Sequence, residues 1–135
     1  MAVNTILYAD VPILFEIITN KSINIGIVTS KYRYRIEEIL RREKLLEKVN
    51  VIIGHEDVKS PKPDPEGLLI AIKRLNLHPI DVLYVGDSIV DAKTAKQGKT
   101  HFAVILSGVT KREDFNDYPF ESIFNDISEL ISWIK

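Results

Sequence analysis

Short apolar runs rich in β-branched residues recur along the chain at residues 3–8, 25–28, 49–53, 82–85 and 102–106. Each has the length and composition of a buried strand. Segments of helical period separate them. Ile13, Leu14, Ile17 and Ile18 form one apolar stripe, Ile36, Ile39 and Leu40 a second, and Leu68, Leu69, Ile72 and Leu75 a third. Strands alternating with amphipathic helices predict an α/β fold, a doubly wound three-layer sandwich with a mostly parallel sheet.

The punctuation between elements agrees with this pattern. Asp64 is placed to act as an N-cap with Pro65 at the first helical position, where a missing N–H costs nothing. Thr110 and Glu113 have capping-box spacing. The last segment predicts a short strand at 122–124 and a helix over about 126–133 that turns Ile127, Leu130 and Ile131 inward, with Trp133 as a core or edge aromatic.

A chain of 135 residues fits a single domain, 1–135, with a sizeable core but no room for a separate cap over the substrate. Its 18 basic and 19 acidic residues leave a net charge of -1, which gives no reason to expect nucleic acid or a membrane surface as partner. The absence of cysteine excludes disulfides, thiolate metal sites and a cysteine nucleophile. No apolar run is long enough to cross a bilayer and no basic stretch followed by a hydrophobic signal segment opens the sequence, so a soluble, cytoplasmic domain is expected.

In open α/β sheets ligands collect beyond the carboxyl ends of the strands, which directs attention to three places. Thr29 and Ser30 follow the run at 25–28 and precede a helical stretch, so hydroxyls and free backbone N–H groups at a helix start offer an anion site. Ser30 as an ordinary N-cap is the alternative. Lys62 stands between Pro61 and Pro63, a stiff backbone that can hold an ammonium toward a phosphate or a carboxylate cluster, or simply a solvated loop lysine. Asp87 ends the run at 82–85 after Gly86, with Asp91 four residues on. Paired carboxylates at a strand tip suit Mg²⁺, because like charges this close need a cation between them; the alternative is that Asp87 caps the next helix and Asp91 is solvated.

Together the segments IVTSKYRYRIEEIL, KPDPEGLLIAIKRL and YVGDSIVDAKTAKQG resemble the second, third and fourth motifs of the haloacid dehalogenase-like (HAD-like, Rossmannoid) hydrolase superfamily, and in particular its phosphoglycolate phosphatase-type members. The resemblance runs from about Val11 to the C-terminus. It implies a phosphoric monoester hydrolase in which Thr29 hydrogen-bonds the transferring phosphoryl group, Lys62 stabilises its charge, Asp87 coordinates Mg²⁺ and Asp91 orients the metal shell.

Members of that superfamily open with a strand ending in Asp-x-Asp, whose first aspartate attacks phosphorus and whose second transfers a proton. The nearest counterpart is Asp10, but Pro12 stands at the second position and cannot transfer a proton. The segment LYADVPILFEIITNKSINIGIVTS resembles instead the passage from a helical cap into the second strand. Since an empty central strand slot would leave costly unpaired backbone groups, residues 3–9 are expected to fill it and to bring Asp10 near Thr29 and Asp87. Two functions follow: a Mg²⁺-dependent phosphatase of small phosphorylated metabolites, impaired as an isolated chain, or a degenerate phosphate- and metal-binding or protein-interaction domain. An incomplete sheet or open site leaves room for self-association. Gly54, His55, Glu56 and Asp57 are read as a solvated loop, and His78 and His101 have no evident catalytic partner.

Overall fold

The computed structural model describes residues 10–106 and 110–135, so the strand expected at residues 3–8 lies outside the described residues. Five strands and five α-helices follow in the order α1 (Val11–Asn20), β1 (Gly26–Val28), α2 (Arg33–Arg42), β2 (Val51–Ile53), α3 (Glu66–Arg74), β3 (Leu83–Gly86), α4 (Ile89–Gly98), β4 (His101–Ile105), β5 (Ser122–Phe124) and α5 (Ile127–Ile134) among these residues. All observed pairings are parallel: β1 with β2, Ile27 opposite Ile52, and separately β3 with β4 and β4 with β5, Val85 opposite Ala103 and Val104 opposite Ile123. The order is β2-β1 in one group and β3-β4-β5 in the other, with no ladder joining β1 to β3 among the described residues.

The period-two geometry of a strand sends neighbouring side chains to opposite faces, and two cores result. Ile27 and Ala103 pack with α1, α2 and α5 through Leu14, Phe15, Ile36, Leu40 and Leu130. Val28, Ile53, Tyr84 and Val104 face the other way, against Leu68 and Ile72 of α3 and Ala92 and Ala95 of α4. Helices therefore cover both faces, the doubly wound arrangement that the alternation of periods predicts.

Several local expectations are corrected. In α1 the buried stripe is Val11, Leu14 and Phe15 with Ile18 packed beside it, whereas Ile13 is 52% exposed, because helical spacing puts it on the other flank. Leu69 likewise points outward from α3. Helix α3 starts one residue late, with Pro65 at the N-cap, and the Asp64 carboxylate accepts the Glu66 N–H at 2.9 Å. No capping box joins Thr110 to Glu113: the Thr110 hydroxyl donates to the Asp87 carbonyl at 3.0 Å, and the turn at Arg112–Phe115 is closed by Lys111 N–H donating to Asp114. Trp133 is the edge aromatic foreseen, half exposed with its ring 5.6 Å from that of Phe124.

Candidate functional site

Asp91, on the first turn of α4, is only 2% exposed, and every side of its carboxylate has a donor. Oδ1 accepts from Lys62 Nζ at 3.0 Å and from the Tyr84 hydroxyl at 3.1 Å, and Oδ2 from the Ser88 hydroxyl at 3.1 Å and the Asp87 N–H at 3.2 Å. The chain is built to hold it there. Ser88 is the N-cap of α4 and accepts the Asp91 N–H, so Asp87 is left uncapping at the end of β3. Gly86 makes room, since a Cβ at that position would stand 2.5 Å from the Asp91 Cβ.

Burial disfavours ionisation of Asp91, but the Lys62 ammonium and the Asp87 N–H outweigh it and hold the carboxyl below its ordinary value. Asp87 is pushed the other way, first by burial and then by the neighbouring Asp91 charge. Tyr84, 4% exposed, has its hydroxyl raised far above the usual phenol range by burial and by Asp91, so it stays protonated and donates. The Lys62 ammonium also lies 5.6 Å from the Tyr84 ring centroid, a cation–π contact.

Lys62 belongs to a second feature as well. A pocket is lined by Thr29, Ser30, His55, Ser60, Pro61 and Lys62 together with apolar residues of β1 and β2. An ammonium has three protons, and the one given to Asp91 leaves others for an anion in the pocket. Beyond β1 the Thr29 N–H still donates to the Ile53 carbonyl at 2.9 Å, and the Thr29 hydroxyl accepts the Lys31 N–H at 3.1 Å. The N-cap of α2 is Tyr32 and not Ser30, and the Arg33 N–H that begins the helix is taken by Glu56 at 2.7 Å.

Residues 54–57 keep His55 and Glu56 exposed, as a solvated stretch would, but that contact shows that they are not a free loop. The turn His55–Asp57 is clamped to α2 by Glu56 on the Arg33 N–H, by an ion pair of Arg33 with Asp57, and by His55 N–H on the Lys31 carbonyl at 2.8 Å. Gly54 allows the close approach, because a Cβ there would stand 2.5 Å from the Arg33 nitrogen. No sequence motif announces this clamp, whose pairs span more than twenty residues. Tyr84 also escaped the sequence reading, although a hydroxyl inside an apolar strand was a usable sign that a buried polar partner exists.

The structure thus brings Lys62, Asp87 and Asp91 into one cluster and Thr29, Ser30 and Lys62 into one pocket, with Lys62 common to both. Asp10 sits at the N-cap of α1 without a side-chain capping bond, and its carbonyl accepts the Leu14 N–H. No hydrogen bond or ion pair joins it to Thr29, Lys62, Asp87 or Asp91 among the described residues. Nor do three or more His, Cys, Asp or Glu side chains gather as a metal cage among those residues. The donors fit a hard cation held loosely: among the described residues no side-chain hydrogen bond occupies the Asp87 carboxylate, Asp91 is saturated behind it, and Mg²⁺ asks for one or two carboxylates while keeping several waters.

A family model described as haloacid dehalogenase-like hydrolase matches residues 2–105. N-acetylmuramic acid 6-phosphate phosphatase of Pseudomonas aeruginosa is 32% identical over 107 residues, covering 79% of this chain and 47% of that protein. Phosphoglycolate phosphatase of Escherichia coli is 27% identical over 127 residues, 94% of this chain and 50% of that one. Among solved structures, a Bacteroides fragilis protein described as a haloacid dehalogenase-like hydrolase superposes with a TM-score of 0.89 at 42% identity, over 93% of this chain and 60% of its own. The chain therefore spans about half the length of the curated relatives it matches.

Proposed function

The chain belongs to the haloacid dehalogenase-like hydrolase family, and from that premise we propose that it forms the phosphate- and Mg²⁺-holding part of a phosphatase for small phosphate monoesters. The observation that carries this reading is the double engagement of Lys62, which lines the pocket of Thr29 and Ser30 and is hydrogen-bonded to Asp91. Phosphoryl transfer rests on positioning and charge stabilisation, and these residues supply both. The Thr29 and Ser30 hydroxyls hold phosphoryl oxygens. Lys62 offsets the negative charge, and is itself aimed by Asp91 and by the Tyr84 ring. Asp87 is the direct ligand for Mg²⁺, and Asp91 fixes the Asp87 backbone by accepting its N–H. When bound, the ion neutralises phosphoryl charge.

Asp10 is the candidate nucleophile, and Pro12 two residues on leaves no proton-transferring partner at that spacing. This departure, with the lack of any bond from Asp10 to the cluster among the described residues, favours a second reading in which the domain binds phosphate and metal without turnover.

Hydrolysis of an aryl phosphate with and without Mg²⁺, compared for the unaltered chain, Asp10→Asn and Asp87→Asn, separates the readings. Turnover lost in both variants supports Asp10 as nucleophile. Calorimetric binding of phosphate and Mg²⁺ without turnover in any version supports the binding domain, and absence of both binding and turnover removes the proposal.

A further inference from the structure

Two exposed tyrosines stand at the start of α2, and the first of them touches a residue that lines the pocket. Tyr32 is 47% and Tyr34 52% exposed, with ring centroids 5.8 Å apart. Tyr32 occupies the N-cap of α2, a position that favours short hydroxyl or carboxylate side chains, and it makes no capping bond there. The cap is provided instead from outside the helix, by Glu56. Capping thus gives no reason for a tyrosine at residue 32.

Its surroundings give one. The Tyr32 ring meets the His55 ring edge-on, centroids 5.0 Å apart at 69°. His55 lines the pocket together with Thr29, Ser30 and Lys62. The His55 backbone is bonded to Lys31, and the turn that carries it is pinned to the start of α2 by Arg33 with Asp57 and by Glu56. Both rings are therefore fixed relative to the anion pocket. At 69° the two rings meet edge to face and do not stack, so ring faces of the pair stay uncovered by each other next to a residue that lines the pocket. A π-face in such a place gains from a flat or C–H-bearing ring, and gains much less from a methyl or a short acyclic chain.

The geometry points to Tyr32, with His55, as a ring-binding subsite for the organic part of the phosphate ester. The assignment rests on the pocket being a phosphate site, and it narrows the substrate class to monoesters whose organic group carries an aryl or sugar ring. His55 sets the entrance and Tyr32 supplies the stacking face. The Glu56 and Asp57 carboxylates stay engaged with Arg33.

Calorimetric titration of the full chain in Mg²⁺ with inorganic phosphate, methyl phosphate, phenyl phosphate and glucose 6-phosphate tests this, repeated on Tyr32→Phe and Tyr32→Leu. Phenyl phosphate is expected to bind about 3- to 10-fold more tightly than methyl phosphate, the range for one aromatic contact. Tyr32→Phe keeps that ratio, and Tyr32→Leu, which retains apolar bulk but no ring face, brings it below about 2-fold. The same comparison with glucose 6-phosphate tells whether a sugar ring uses the subsite as an aryl ring does. Equal affinity for methyl and phenyl phosphate in the unaltered chain, or a preference that survives Tyr32→Leu, overturns the subsite while leaving the phosphate site standing. Failure of inorganic phosphate to bind in any version overturns the phosphate site, and the subsite with it.

Discussion

At the scale of single residues the chemistry turns on Asp91, a carboxylate 2% exposed yet held in its charged form. Because its folded pKa lies below the ordinary 3.8, its contribution to stability is complete above that value and is lost as pH falls through the folded value. Asp87 has the opposite sign: raised in the fold, it favours the folded state at low pH and ceases to do so as pH rises through its folded value. In metal-free solution the two should give acid unfolding below about pH 4 together with a mild loss of stability as Asp87 ionises above it, measurable as Tm against pH. Asp87→Asn removes the like-charge repulsion, and should raise the metal-free Tm by about 2–4 °C while abolishing any upward shift on adding Mg²⁺. A metal-free Tm that falls, or a Mg²⁺ shift that persists, would contradict the assignment of Asp87 as the direct ligand.

At the scale of elements, strand runs and helix stripes were readable because burial imposes periods of two and 3.6 on the order of side chains. Their ends were less so. Ser88 rather than Asp87 caps α4, and Glu56 from a distant turn caps α2, since an N–H accepts help from whichever oxygen the fold brings near. The clamp between that turn and α2 predicts a large effect from a small change. Gly54→Ala would put a methyl 2.5 Å from backbone, which cannot swing away as a side-chain tip can, and should destabilise the chain by about 1–3 kcal/mol in urea unfolding. Phosphate affinity should fall with it, because Lys31 and His55 are tied through the same turn. Unchanged stability would mean that the clamp contributes little.

At the scale of the molecule, the two cores on opposite faces bind all five strands into one sandwich, although the ladders form two separate groups among the described residues. Among those residues no helix is long and apolar enough to cross a membrane. The fold brings Lys62 from the loop before α3 to Asp91 on α4, a pair with side chains 11% and 3% exposed. Removing one partner strands the other in the interior, so Lys62→Met should cost about 3–5 kcal/mol, and adding Asp91→Leu should recover little of it, because the Tyr84 hydroxyl, the Ser88 hydroxyl and the Asp87 N–H then lose their acceptor. Neither version should bind phosphate. Unfolding curves and calorimetry on the same samples check both halves, and a double variant much more stable than the single would argue that the other donors to Asp91 contribute little.

By itself the sequence determined the class of fold and pointed to the candidate groups: hydrophobic periodicity follows from burial, Thr29, Ser30 and Asp87 stand just after apolar runs, Lys62 lies between two prolines, and Asp91 follows Asp87 by four residues. Only the tertiary structure decided how they are shared. That Lys62 serves a pocket and a carboxylate at once, that Asp91 is saturated while Asp87 is not, and that His55 and Tyr32 meet beside the pocket depend on contacts between segments far apart in the chain. Such contacts are set by how helices and strands pack, and packing leaves no periodic trace in the order of residues.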